Sequence, residues 1–223
     1  MTLLRQAATV AAKDLRIEVR GRYAVGAVLP FAATVLVAFG LSLGPGRSLL
    51  QRTAPGVLWL AVTFASVLSF RRAYEAEGED GALEGLVLAP IDKAAVFLGK
   101  AAAVAAQLLA LELAVILLVV GLFDLSLGSD PLALAASFVT GTVGLAAVGS
   151  LFGVLAESPR AREAVFPLLV LPLATPVIVS GVRATELAST GRGGAGAWLG
   201  LGLAFDLVFL AVGTLVFGHL LED

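Results

Sequence analysis

The sequence predicts an all-α integral membrane protein with six transmembrane helices. Of its 223 residues, 59% are hydrophobic and only 14% are charged, whereas soluble domains average about 45–50% apolar and about 25% charged residues. The mean hydropathy is +0.98. A soluble domain of this length cannot hide so much apolar surface from water, because its interior is too small. The composition therefore argues against a soluble globular enzyme and against a disordered chain.

The first element is an amphipathic helix predicted over residues 1–22. At 100° per residue, Leu4, Leu15 and Val19 fall in one narrow arc together with two alanines, and the basic side chains fall in the next arc. This pattern is typical of a helix that lies in the cytoplasmic interface, with its Arg and Lys side chains toward lipid phosphates. The alternative is a plain positively charged flank that only sets the topology.

The six spans are counted from the stretches without charge, because a membrane-crossing helix needs roughly 20 largely apolar residues. Glu112 interrupts the third span and Asp206 interrupts the sixth. The predicted spans cover residues 24–43, 54–70, 101–123, 131–156, 164–182 and 195–218. No internal repeat or separate soluble domain is evident, so residues 1–223 form one predicted transmembrane domain.

The distribution of Lys and Arg predicts that both termini lie in the cytoplasm, since cytoplasmic segments carry the excess of basic residues. With the N-terminus inside, eleven of the 15 basic residues fall in cytoplasmic segments. The four that fall outside are Arg47, Arg52, Arg183 and Arg192.

The longest cytoplasmic loop, predicted over residues 71–100, offers a surface for a partner protein. Residues 81–88 form a short apolar stretch between acidic residues and Pro90, too short to span a membrane. Leucines exposed on a short cytoplasmic helix need something to bury them. Arg160 and Arg162, in the second cytoplasmic loop, are expected to add to this surface more weakly. The residues of the predicted interface in the long loop are Glu79, Asp80, Gly81, Leu83, Glu84, Leu86, Leu88 and Pro90.

Glu112 and Asp206 each lie about midway along a predicted span. A charge at such a depth costs about 2.5–3.5 kcal/mol even on the mildest scales, and no Lys or Arg lies inside a predicted span to pair with either acid. One interpretation is a proton relay or a substrate contact. The other, which we favour, is a protonated acid that forms a hydrogen bond with a neighbouring helix.

The fifth span contains Pro167, Pro172 and Pro176. Each proline removes a backbone donor and disfavours a straight helix. Broken helices occur in membranes where the backbone is buried or lines a cavity. The prolines therefore predict a kinked span, with a moving or re-entrant element as the alternative.

The sequence offers no catalytic, cofactor-binding or metal-binding motif. Cysteine is absent, which excludes a thiolate metal site. The phosphate-binding pattern G-x-x-x-x-G-K-[ST] is also absent, since Gly99-Lys100 is followed by Ala101. The single histidine is His219, and the sequence contains no G-x-S-x-G pattern, in which a serine hydrolase would carry its nucleophile. A net charge of −2 gives no indication of nucleic-acid binding.

Two blocks of the sequence resemble a known family. Residues 56–90 read GVLWLAVTFASVLSFRRAYEAEGEDGALEGLVLAP and strongly resemble the CcmB family, the permease subunits of the haem exporter for cytochrome c maturation. That family has G-x-L-W near the start of an apolar span, then an arginine-bearing turn, E-D-G-x-L-E and a proline. The matching residues are Gly56, Leu58, Trp59, Glu79, Asp80, Gly81, Leu83, Glu84 and Pro90.

The second block, residues 168–181, reads LLVLPLATPVIVSG and is similar to the family's L-L-x-L-P-L-x-x-P-V-x-x-x-G. Residues 13–22, KDLRIEVRGR, look like the family's N-terminal helix. The third span departs from the pattern, because residues 107–118 read QLLALELAVILL where the family often has a Trp and Pro-Leu.

The resemblance implies the membrane domain of an ABC-2-type transporter in the bacterial cytoplasmic membrane, active as a homodimer with a separate ATPase subunit. It also implies a Trp-rich haem-handling membrane protein and a periplasmic haem chaperone as partners, besides membrane lipid. ATP would bind the ATPase subunit, and haem would be a substrate rather than a bound cofactor. The alternatives are a general ABC-2 drug or lipid exporter and a proton-coupled secondary transporter that uses Glu112 and Asp206.

Overall fold

The computed structural model describes residues 2–79, 90–127, 130–153 and 159–222, with the backbone alone for residues 71–79, 159–166, 221 and 222. Within these ranges the chain forms seven α-helices and no β-strand. A π-helical turn, Ala24–Val28, joins the first helix to the second. The helices are α1 Leu3–Gly21, α2 Leu29–Leu43, α3 Arg47–Glu79, α4 Lys93–Phe123, α5 Pro131–Gly153, α6 Pro159–Thr190 and α7 Ala195–Glu222.

The predicted all-α fold with six spans is confirmed. Over the described residues, six stretches are long and apolar enough to cross a membrane. They are Ala24–Leu43, Arg47–Phe70, Lys93–Phe123, Pro131–Gly153, Pro167–Thr190 and Ala195–Leu220. The amphipathic N-terminal helix is also confirmed as α1, which buries Ala7 and Val10 and leaves Leu4 and Val19 exposed.

Several helices extend beyond the predicted span boundaries, because charged residues do not end the helices where the sequence suggested. The helix that contains the predicted second span, 54–70, begins at Arg47, and the helix that contains the predicted fifth span, 164–182, continues to Thr190. Arg183 is accommodated there by an ion pair with Glu186, one turn later on the same helix, at 2.8 Å. The predicted loop 71–100 is helical at both ends, since α3 continues to Glu79 and α4 begins at Lys93.

Lys100 is a further departure, because it lies inside α4 and is buried. Its Nζ atom lies 3.6 Å from the Asp14 carboxylate of α1. Beside it, Gly99 leaves no room for a side chain, since a Cβ there would lie 2.6 Å from the Ala7 carbonyl oxygen. The Asp92 N–H, just before α4, donates to Gln6 Oε1 at 3.3 Å. Helix α1 is therefore fastened along the start of α4, and we call this end of the bundle the α1 end.

The opposite end is held by charged residues outside the apolar interior. Arg47, at the start of α3, donates to the carboxylate of Asp124, which directly follows α4. Gln51 Nε2 donates to the same carboxylate at 2.7 Å. The Arg47 hydrogen bond holds the pKa of the exposed Asp124 below its ordinary value.

The centre of the bundle is formed by α3 and α5, the spans with the largest buried share. Aromatic side chains of α3 fill gaps that glycines leave in α5. Trp59 packs where a side chain at Gly141 would lie, and Phe70 packs where one at Gly149 would lie. Close approach at small residues is how helices associate in a membrane, where the hydrophobic effect does not drive them together.

Candidate functional site

The predicted partner surface falls almost entirely outside the described residues. Residues 80–89, and with them Asp80, Gly81, Leu83, Glu84, Leu86 and Leu88, are not described. The backbone alone is described for Glu79 at the end of α3 and for Arg160 and Arg162 in the first turn of α6. Pro90 is exposed shortly before α4. The interface therefore stays a prediction.

The two predicted cytoplasmic connections nevertheless leave the bundle at the same end. Phe70, in the last described buried turn of α3, packs against Gly149 near the end of α5. Phe97, near the start of α4, packs in one cluster with Leu151 of α5 and Phe217 of α7. This is the α1 end, so α1 and the ends of both connections share one face of the molecule.

Trp59 connects three helices through a chain of buried hydrogen bonds. Its indole Nε1–H donates to Thr185 Oγ1 of α6 at 2.9 Å. The Thr185 and Ser137 hydroxyl oxygens lie 3.1 Å apart, and Ser137 donates onward to the Leu134 carbonyl of α5 at 2.7 Å. Thr185 therefore donates to Ser137, and every donor in this chain has an acceptor.

Small residues make room for the indole on both sides. A Cβ at Gly141 of α5 or at Gly181 of α6 would overlap the Trp59 ring. Phe138 stacks on the indole with ring centroids 5.9 Å apart. We call Trp59, Ser137, Gly141, Gly181 and Thr185 the Trp59 cluster.

The cluster explains why two distant sequence blocks belong together. Trp59 lies in the first block, residues 56–90, and Gly181 ends the second block, residues 168–181. The structure brings these two residues into contact. Sequence reasoning did not assign Thr185, although its spacing of four residues from Gly181 puts both on one helix face.

Glu112 is buried and contacts α5. Its side chain is 2% exposed, and Oε1 accepts a hydrogen bond from Thr142 Oγ1 at 2.6 Å. The second carboxyl oxygen, Oε2, is buried without a hydrogen-bond partner among the described residues. The contact agrees with the predicted hydrogen bond between an acid and a neighbouring helix.

Asp206 is 3% exposed and also contacts α5. Its Oδ1 atom is buried, has no hydrogen-bond partner within the described ranges, and lies 2.6 Å from the place that a Cβ at Gly144 would take. Because Thr142 and Gly144 are two positions apart on a helix, they point to opposite sides of α5. Glu112 and Asp206, which we call the two membrane acids, therefore flank the same turn of α5 from opposite sides.

The described residues supply neither acid with an ion-pair partner. Lys100, although buried, lies three turns before Glu112 on α4 and contacts Asp14 instead. The part of the chain that the structure describes also contains no group of three His, Cys, Asp or Glu side chains that could hold a metal ion. Each acid thus retains one buried oxygen whose protonation would remove a costly charge.

The prolines of the fifth span lie within one helix. Helix α6 continues from Pro159 to Thr190 through Pro167, Pro172 and Pro176, which leaves the re-entrant alternative without support. Pro172 and Pro176 are exposed at the surface of the bundle, and Pro167 is half-buried. A kink at these positions stays a prediction.

Comparison with known proteins identifies the family. The family model described as "CcmB protein" matches residues 5–223. Heme exporter protein B of Bradyrhizobium diazoefficiens is 33% identical over 205 residues, which cover 90% of each chain. Heme exporter protein B of Pseudomonas aeruginosa is 32% identical over 183 residues, 81% of this chain and 80% of the relative.

The protein of the same name from Escherichia coli strain K12 is 38% identical over a shorter stretch of 87 residues, 39% of this chain and 40% of the relative. The match to the family model, by contrast, includes all six spans and both blocks that meet at Trp59. On this basis the chain belongs to the CcmB family.

Proposed function

We propose that this chain is the permease subunit of an ABC transporter complex that serves cytochrome c maturation. In this role it couples ATP hydrolysis in a partner subunit to haem export, or to release of a haem-loaded chaperone. The family match over residues 5–223 is the observation that carries the proposal. The relatives that match over most of their length are named Heme exporter protein B, and that name supports haem as the substrate class.

ATP hydrolysis is assigned to a separate subunit, because the sequence has no phosphate-binding loop. This chain is then a multi-pass membrane protein without enzymatic activity of its own. We place it in the bacterial inner membrane with both termini in the cytoplasm, which the excess of basic residues in the predicted inside segments supports. Its proposed partners are the ATPase, a haem-handling membrane protein, a periplasmic haem chaperone and a second copy of the chain.

The packing supports a route for coupling. Helix α3 runs as one helix from Arg47 to Glu79, at the border of the proposed coupling loop. Phe70 and Trp59 of this helix fit against glycines of α5 and α6. Interiors packed in this way transmit displacement rather than absorb it. A partner that moves the end of α3 would therefore move α5 and α6 with it.

Genetic complementation tests the proposed function. The host gene is deleted, the chain is supplied from a plasmid, and c-type cytochromes are measured by haem staining of membrane proteins. We expect the deletion to abolish the stained bands and the plasmid to restore them. Normal cytochromes in the deletion strain, together with sensitivity to an unrelated exported compound, would favour the general exporter instead.

The proposed ATPase contact is tested at Leu83. Interface cores are apolar with a charged rim, and a buried unpaired charge there should cost at least about 3 kcal/mol. Leu83→Asp should therefore abolish co-purification of the ATPase while the permease stays inserted in the membrane. Glu84→Lys should weaken the same contact. An undiminished complex with Leu83→Asp would place the coupling surface elsewhere.

A further inference from the structure

A pocket lies at the end of the bundle opposite the α1 end, between the first turns of α3 and the last turn of α6. Its cavity volume is about 660 Å³, within the range of small-molecule sites. Pro55, which is buried, forms part of the floor, and exposed polar side chains surround it. We call this cavity the outer pocket, and the lining residues that matter below are Ser48, Arg52, Pro55, Glu186, Thr190 and Arg192.

The arginines at this end of the bundle divide into two groups. Arg47 and Arg183 each form an ion pair with an acid. Arg52 and Arg192 form no ion pair with any residue that the structure describes. Both of these arginines line the outer pocket, one from α3 and the other from the segment that follows α6. The arginines without an acidic partner are therefore the two that face the same cavity.

The acids at this end are engaged elsewhere. Glu186 is the one acid among the described lining residues, and its Oε2 accepts from Arg183 Nη1 at 2.8 Å. Asp124 accepts from two side chains of α3. Asp130 accepts the Ala133 N–H at the start of α5 at 3.0 Å. The described residues therefore leave the outer pocket with two guanidinium groups in excess of its carboxylates.

The uncharged groups of the pocket also favour an anion. On the α6 side, the Thr190 hydroxyl donates to the Glu186 carbonyl oxygen at 2.8 Å, so this acceptor is already used. On the α3 side, the pocket is lined by the exposed Ser48 in the first turn of the helix, where the helix dipole places a partial positive charge. A ligand with hydrogen-bond acceptors and negative charge complements such a surface.

We infer that the outer pocket binds an organic dicarboxylate, with one carboxylate on Arg52 and the other on Arg192. The planar guanidinium group matches a carboxylate in a bidentate geometry. Two such groups on separate elements, in a cavity of this size, fit a ligand with two anionic groups rather than a single inorganic anion. Because Pro55 lies one turn before Trp59 on α3, the bound ligand joins α3 to α6 at the outer edge of the Trp59 cluster.

Calorimetric titration of the purified full chain in a neutral detergent tests the inference, with glutarate and acetate as probes. We expect glutarate to bind about fivefold more tightly than acetate, because its second carboxylate gains one more exposed ion pair. Equal affinities for the two probes would overturn the proposal, and so would the absence of any glutarate binding.

Variants locate the site. Arg52→Gln and Arg192→Gln should each weaken glutarate binding about fivefold, and Ser48→Glu should weaken it by adding an acid without removing an arginine. Arg20→Gln is the matched control, since it removes the same charge from an exposed position of α1 and should bind glutarate like the wild type. Unchanged glutarate affinity in both arginine variants of the pocket would show that the ligand binds elsewhere.

Competition against glutarate distinguishes two sources of the dicarboxylate. One source is haem, which carries two propionate groups on one edge, and this source rests on the proposed function. Displacement of glutarate by haem but not by haem dimethyl ester, whose propionates are blocked, would identify haem as the ligand. A lack of displacement by haem would identify a soluble dicarboxylate on the outer side of the membrane. Equal displacement by haem and its dimethyl ester would overturn the proposal, because the pocket would then not recognise carboxylates.

Complementation of the deletion strain separates this inference from the proposed function. Restored c-type cytochromes together with no glutarate binding would refute the outer pocket and leave the permease role intact. Glutarate binding without restored cytochromes would do the opposite.

Discussion

The Trp59 cluster and the two membrane acids lie in the same bundle, yet their buried polar atoms are satisfied to different degrees. In the cluster, the hydrogen bonds run from the Trp59 indole through Thr185 to Ser137, and each donor has an acceptor. Glu112 and Asp206 each keep one buried oxygen without a partner among the described residues. A fully satisfied network makes a packing arrangement rigid and unique, whereas a buried polar atom without a partner is costly in the low dielectric of the interior.

The difference indicates two roles. The cluster fastens α3 to α5 and α6 where both family blocks meet, so we expect its loss to weaken the whole bundle. The acids contact a single turn of α5, through Thr142 on one side and Gly144 on the other. We expect conservative changes of the acids to be tolerated, because a neutral side chain of the same shape can replace a protonated acid.

The largest expected effect is that of Trp59→Ala. The substitution removes a fully buried indole and leaves a cavity among three helices, which should lower the free energy of unfolding by about 3–5 kcal/mol. Unfolding of the purified full chain in mixed detergent micelles measures the change. Trp198→Ala is the matched control, since Trp198 is only partly buried and should cost clearly less. Equal losses of unfolding free energy for the two variants would show that Trp59 contributes no more to stability than the partly buried Trp198.

A smaller loss is expected when a methyl group is added beside the indole. Gly181→Ala places a Cβ within 3 Å of the Trp59 ring atoms, and overpacking of this kind costs typically about 1–3 kcal/mol. Gly196→Ala provides the control, because nothing lies within 4 Å of its added Cβ. If Gly181→Ala is as stable as Gly196→Ala in the same unfolding assay, the stability of the bundle does not depend on the close approach of α3 and α6.

Two threonines, one in each region, test the difference between the Trp59 cluster and the two membrane acids directly. Thr185→Val leaves the Trp59 N–H without an acceptor and should cost about 1–2 kcal/mol, between the usual penalty for an orphaned buried donor and the value for interhelical hydrogen bonds in membranes. Thr142→Val removes one donor from Glu112, which already has an unpartnered oxygen, and should cost about 0.6 kcal/mol or less. The reverse order of the two losses would contradict the contrast between the regions.

The elements were more predictable from the sequence than the contacts between them. Six spans follow from long uncharged stretches, because the bilayer sets the length that each helix needs. The helices continue past the predicted span ends at Lys100 and Arg183, since a partner compensates each charge. Asp14 supplies that partner from a distant part of the chain, and Glu186 supplies it from the next turn.

The candidate sites follow the same rule, because single residues could be predicted from the sequence and their contacts could not. The rarity of acids inside spans was enough to single out Glu112 and Asp206, but no spacing within the sequence shows that they flank one turn of α5. Thr185 and Ser137 were missed as hydrogen-bond partners because small polar residues are common in membrane helices. Their partner, Trp59, is 126 positions away from Thr185.

The central claim, that the chain works as an ATP-driven permease in which the two membrane acids are structural, is tested most directly by Glu112→Gln and Asp206→Asn. Both changes keep the shape of the side chain, and the amide oxygen introduced by Glu112→Gln would still accept from Thr142, but neither amide can relay a proton. Each variant is supplied as the only copy in the deletion strain, with haem staining for c-type cytochromes and immunoblotting for the amount of permease. We predict cytochrome levels close to wild type for both variants. Loss of c-type cytochromes at a normal amount of permease would contradict the structural role and favour proton-coupled transport.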